Sequence, residues 1–159
     1  MCIASSLVYG DISTWCTGKV TDMRFLFCAS SYLSLCNEAA SSFDEAIGAW
    51  DTSGVTNMAY MFQDTKAFNQ PLNDWDVAEV TDMNGMFGAQ FYGGVSAFNQ
   101  DLSGWDISRV TNMEEMFEYA TDFDQDLGWC LEANVVSGNG WIGTKCAPGC
   151  GVTDAPCEP

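Results

Sequence analysis

The chain contains no histidine and only five basic residues, Lys19, Arg24, Lys66, Arg109 and Lys145, against 22 acidic ones. Without histidine, Ser-His, Cys-His and His-metal centres are excluded. Paired carboxylates remain, but the aspartates recur with the repeat described below and form no unique pair, so an enzyme is not expected. A net charge of -17 repels phosphate backbones and argues against nucleic acid. Cations, basic proteins or neutral glycans suit it, and solubility alone also explains it. No apolar run approaches the roughly 20 residues of a membrane helix. Met1 to Gly10 has neither a positive start nor a long apolar stretch and does not read as a signal peptide. A secreted form is therefore expected to have lost its signal or to belong to a longer parent chain. There is no N-x-S/T sequon, so N-glycosylation is not expected.

Cysteine is absent between residues 37 and 129 and gathered at the two ends: Cys2, Cys16, Cys28 and Cys36, then Cys130, Cys146, Cys150 and Cys157. An even count of eight fits disulfides, and thus an oxidising compartment. The competing reading, metal thiolates, lacks C-x2-C spacing, and Cys146 and Cys150 are the only C-x3-C pair. Cys28 with Cys36 is a plausible local bridge. Cys2 with Cys16, and Cys130 with Cys146 or Cys150, are further candidates.

A repeat dominates the rest. Trp15, Trp50, Trp75, Trp105 and Trp129 fall 35, 25, 30 and 24 residues apart. After the first four come Val20, Val55, Val80 and Val110, then Thr21, Thr56, Thr81 and Thr111, then Asp22, Asn57, Asp82 and Asn112, then Met23, Met58, Met83 and Met113. Leu26-Phe27, Met61-Phe62, Met86-Phe87 and Met116-Phe117 close each unit, and Phe43, Phe68 and Phe98 precede Trp by seven residues. The unit is about 25 residues, with insertions at 28–42 and 88–97. The organisation expected is one domain: a cap over 1–14, four to five repeats over 15–130, and a Cys-rich cap over 131–159.

Within one unit, Trp75 and Val77 two apart predict a short strand with Asp74 and Asp76 facing outward. Val80, Met83, Met86 and Phe87 predict one face of a short helix. Thr111 with Glu114 fits a capping box, with Ser53 or Ser108 as other caps. One such unit cannot bury its apolar face alone, so stacking must supply the core. The expected fold class is an α/β repeat solenoid, a short leucine-rich-repeat-like stack of one strand and one short helix per repeat with disulfide-rich caps. The Trp, Val, Met and Phe files read as core packing.

Polar files carry the functional question. Asp51, Asp76 and Asp106 follow Trp in the middle units. At a strand spacing of about 4.8 Å, like charges cost roughly 0.2–1 kcal/mol per pair and call for compensation. Hydrogen bonds to turns and amides would provide it; bound calcium is the sharper alternative. Asp44, Asn69, Asn99 and Asp124, beside Glu45, Gln70, Gln100 and Gln125, predict a buried ladder satisfying backbone amides. The file of Thr21, Thr56, Thr81 and Thr111 superficially suits ice, but capping at a helix start explains a single file.

The pattern F-N-Q-x-L-x-x-W-D-[VI]-x-x-V-T-[DN]-M-x-x-M-F, nearly complete over Phe68–Phe87 and Phe98–Phe117, resembles the BspA-like leucine-rich-repeat surface proteins. The resemblance spans residues 8 to 130 and implies a right-handed strand-and-helix solenoid at the cell surface or outside the cell. It also implies adhesion or recognition, with no catalytic residue to carry over. The expected function is a recognition or adhesion module for a protein or glycan, with Asp51, Asp74, Asp76 and Asp106 as candidate contacts and Phe91 and Tyr92 as a contact loop. The alternative is a subunit of an extracellular assembly of like or other chains, possible calcium at Asp51, Asp76 and Asp106 included.

Overall fold

The structure, a computed structural model, describes residues 10–89, 95–146 and 149–154. Each recurrence of the unit forms one coil, over residues 12–29, 43–64, 68–89, 98–120 and 123–146, and successive coils lie one on the next in parallel. Single parallel bridges join Asp22 to Asn57, Asn57 to Asp82, Asp82 to Asn112 and Asn112 to Val136.

The coils are not built of the strand and helix that the spacing predicts. Among the described residues there is no α-helix. Regular structure is confined to 3-10 segments at Ile12–Thr14, Glu38–Ser42 and Gly149–Gly151 and a parallel pair of two-residue strands, β1 (Cys130–Leu131) and β2 (Thr153–Asp154). The Trp75–Val77 segment runs through turns closed by Trp75 N–H to Leu72 O and Val80 N–H to Val77 O. The bridges fall instead in the V-T-[DN]-M stretch, which had read as the helix start.

The reason lies in how the amides of the M-x-x-M-F arc are shared. Met58, Tyr60, Phe62 and Asp64 donate to the carbonyls of Asp82, Asn84, Met86 and Gly88 in the next coil, at 2.7–3.0 Å. Met61 and Gln63, between them, donate back to Met58 and Tyr60 in i→i−3 turns. The same alternation joins the first coil to the second and the third to the fourth. An α-helix would consume every amide internally. It is also barred by a left-handed residue at one position of each arc: Phe25, Tyr60, Gly85 and Glu115, with φ of 57–59°. A spacing of three suits stacked turns as well as one helix face. Glycine is needed in this row only at Gly85, where a Cβ would meet the Tyr60 ring.

Apolar positions line the inside as their phase predicts. Phe27, Phe62, Phe87 and Phe117 stack at centroid distances of 5.4–5.6 Å, and Trp141 continues the row. Phe43, Phe68, Phe98 and Phe123 form a second row, each ring about 4 Å from its neighbour in the first. Stacked rings gain beyond their burial. The indole N–H groups of Trp50, Trp75 and Trp105 donate to Ile12, Ile47 and Leu72 carbonyls one coil back, which satisfies a polar atom inside the core.

The Thr file does not cap helices. Thr56, Thr81 and Thr111 hydroxyls donate to the carbonyls of Thr21, Thr56 and Thr81, tying coil to coil. The Asn ladder does satisfy amides, yet it lies on the surface and not in the core. Asn69 N–H donates to Asp44, Asn99 N–H to Asn69 and Asp124 N–H to Asn99, each at 2.9 Å onto Oδ1. Gln70, Gln100 and Gln125 side chains donate to the same oxygens.

Phe87→Ala, in the middle of both aromatic rows, is expected to destabilise the oxidised protein by about 3–5 kcal/mol in denaturant unfolding. Asn99→Ala, which removes the acceptor of the Asp124 amide and the Gln125 amide group, is expected to cost about 1–2 kcal/mol. Asn99→Asp, which keeps Oδ1, should cost less, and equal losses for the two variants would contradict the ladder.

Candidate functional site

The acidic face expected from sequence is on the surface: Asp51, Asp74, Asp76 and Asp106 are all exposed. Three of them serve their own turns. Asp51 Oδ1 accepts from the Ser53 amide (3.2 Å) and hydroxyl (2.7 Å), Asp76 Oδ1 from the Ala78 amide (3.1 Å), and Asp106 Oδ1 from the Ser108 amide (3.0 Å). Asp106, and not Ser108, is therefore the capping acceptor. Hydrogen bonds from Ser53 and Ser108 hold the Asp51 and Asp106 carboxyls below the usual range. Among the described residues, no group of three His, Cys, Asp or Glu side chains is placed to hold a metal ion.

A second polar row went unassigned from sequence: Asp22, Asn57, Asp82 and Asn112. Each Oδ1 accepts from the amide two residues on. Charge alternates along this row, and the Asn57 amide group donates to Asp82 Oδ2 at 3.2 Å. The alternation is visible in the sequence, where Asp and Asn exchange at one repeat position. Arg24 completes the row's first member with a two-pronged ion pair to Asp22.

Asp106 borders a cleft, of about 390 Å³, between the fourth and fifth coils. Trp105, Trp129, Val110 and Leu131 supply apolar walls, and Ser103, Ser108 and Glu132 supply polar groups. Trp129 is 4% exposed, and its indole N–H finds no acceptor among the described residues, unlike those of Trp50, Trp75 and Trp105. No sequence signal distinguishes Trp129 in this respect. The cleft arises because the chain after Trp129 leaves the repeat pattern.

The proposed contact loop of Phe91 and Tyr92 lies outside the described residues, as do Cys2 and Cys157. The first insertion is closed by the Cys28–Cys36 disulfide and leaves Tyr32 77% and Leu35 73% exposed. At the other end Cys146 pairs with Cys150, which overturns a bridge from Cys130 to either. Four residues of separation bring those two Cα atoms to 4.8 Å, within disulfide range. Cys130 is disulfide-bonded as well.

The depressed Asp51 and Asp106 carboxyls favour the folded state above the unfolded aspartate pKa of about 3.9, a contribution lost as pH falls through the lower native values. The Asp51→Ala, Asp106→Ala double variant is therefore expected to melt below wild type at pH 7. That deficit should begin to shrink near pH ~4 and vanish in stronger acid; a deficit independent of pH would remove the capping role.

No curated protein and no solved structure matches the chain. The family described as "Mycoplasma protein of unknown function, DUF285" matches it over residues 3–92 and 32–142, which take in the first four coils and most of the fifth, and the chain belongs to that family.

Proposed function

We propose that this chain is a BspA-like surface repeat protein that acts outside the cell as a recognition or adhesion module, and not as an enzyme. On this reading its stacked coils form a short repeat solenoid. The recurrent residues serve the scaffold: the aromatic and Met files pack the core, and the Thr, Asn and Asp files bond their own or an adjacent coil. That leaves the exposed acidic face and the cleft beside Asp106 as the display surface. The bridges Cys28–Cys36 and Cys146–Cys150 support an oxidising environment.

The observation that carries the reading is the cleft, whose lining residues include Trp129, with a buried indole donor that has no acceptor among the described residues, and the acidic residues Asp106 and Glu132. Its volume is that of a small-ligand site. Carboxylate acceptors beside aromatic walls suit a neutral, hydroxyl-rich glycan segment, whose hydroxyls both donate and accept.

Binding of the oxidised protein to an array of neutral glycans, in calcium and then in chelator, tests this. Asp76→Asn and Asp106→Asn keep the Oδ1 that caps each turn, as Asn57 and Asn112 do, and remove only charge. Asp106→Asn is expected to weaken a retained glycan about tenfold, the order of one charge-assisted hydrogen bond, while Asp76→Asn, away from the cleft, leaves it unchanged. Absence of any retained glycan, or equal binding by Asp106→Asn, would sink the assignment.

A further inference from the structure

Two asparagines in the chain precede glycine, in the steps Asn84–Gly85 and Asn139–Gly140. Such a step is prone to lose its side-chain amide, because glycine has no Cβ to shield its nitrogen from the asparagine Cγ. The two steps carry the same chemistry in opposite surroundings.

Asn84 lies in the third coil and is 8% exposed. Its Nδ2 donates to Glu114 O at 2.9 Å, and the Gly85 amide donates to the same carbonyl at 2.8 Å. One oxygen of the next coil thus holds both the nitrogen that would attack and the amide that would leave. The Tyr60 ring fills the space beside Gly85. Freeing the pair requires the third and fourth coils to part.

Asn139 lies in the fifth coil and is exposed. Among the described residues its side chain makes no hydrogen bond and its backbone N–H has no acceptor. The Gly140 amide donates to Ser137 O at 2.8 Å, in a local turn that opens without separating coils. Packing requires glycine there, since a Cβ at 140 would lie 2.8 Å from Ser137 O and 3.1 Å from Met113 O. The unshielded nitrogen beside Asn139 is therefore a consequence of the fold.

We infer that Asn139 is a site of spontaneous deamidation that ages the last coil. The Gly140 nitrogen, having given its proton to water or hydroxide, attacks Asn139 Cγ. The new C–N bond closes a cyclic imide as the Cγ–Nδ2 bond breaks and Nδ2 leaves as ammonia. Water then opens the imide. Opening at the side-chain carbonyl gives aspartate, and opening at the main-chain carbonyl gives isoaspartate, whose backbone is one atom longer. That atom falls between Val136 and Gly140, whose carbonyls accept the Met113 and Phe117 amides at 2.7 and 2.8 Å. A longer backbone between them cannot keep both bonds in register. Trp141, stacked on Phe117 at 5.4 Å, follows directly. Isoaspartate thus loosens the last coil, whereas aspartate only adds a charge. The inference stands independently of the glycan reading.

The oxidised protein, incubated at neutral and at mildly alkaline pH, then unfolded and cut at Lys66, Arg109 and Lys145, yields separate peptides for the two steps. The Asn139 peptide is expected to gain the mass difference between amide and acid, faster at the higher pH. The Asn84 peptide is expected to convert more slowly by on the order of a thousandfold or more, since it reacts only through opening of the stack. In denaturant the two should convert at similar rates. Aged wild type is expected to melt below fresh protein. Asn139→Gln, whose longer side chain disfavours ring closure, should stay unconverted and hold its melting temperature on ageing. Asn139→Asp should melt with fresh wild type, which separates added charge from lengthened backbone. A native Asn139 that stays intact while denatured Asn84 converts, or equal native rates for the two peptides, would overturn the site. Aged protein that carries isoaspartate yet melts with the fresh protein would overturn the loosening.

Discussion

The structure depends on the division of amide protons within each arc. Half of them close local turns and half leave for the neighbouring coil, at 2.7–3.1 Å. No coil is therefore complete by itself, and each backbone finds its partners only when the next coil is in register. A buried amide left unmade costs more than a made one contributes, so slippage by one residue is opposed along the whole arc.

Registration by the backbone places every repeated side chain against its own kind. For the aromatics this is favourable, and two Phe rows and a Trp row run through the core with indole N–H groups anchored one coil back. For the acids it is a liability. The chain meets it in two ways: Asp51, Asp76 and Asp106 are each bound to their own turns, while Asp22, Asn57, Asp82 and Asn112 dilute the charge by alternation. Surface ion pairs such as Lys145 with Asp122 add little to this, being exposed and screened.

The last coil is where the repeat logic stops being satisfied. The Cys28–Cys36 loop beside the first coil and the Cys146–Cys150 loop beside the last cross-link the chain locally. Among the described residues, Thr153 and Cys150 bond the Trp129 and Leu127 side of the last coil, while the Ser137, Asn139 and Trp141 amides have no acceptor. The cleft beside Asp106 has a related origin, since it opens where the last coil departs from the unit. The candidate site thus arises from broken periodicity, while the intact repeats account for the fold.

Much of this was legible in the residues. The Trp, Val, Met and Phe files were placed inside by spacing alone, and Asp74 and Asp76 outside, because a side chain's phase within a repeat survives any choice of backbone. The Cys28–Cys36 bridge was legible because its loop is short. Whether the spacing of three meant a helix or stacked turns was not, since both present Val80, Met83 and Met86 to one side. The tertiary structure decided it: only a neighbouring coil can accept the amides of Met58, Tyr60 and Phe62, and that acceptance, with Phe25, Tyr60, Gly85 and Glu115 left-handed, rules out the helix. The sequence by itself determined which residues repeat and which face inward. Stacking alone decided where each amide proton goes, because an acceptor one coil away exists only once the coils are in register.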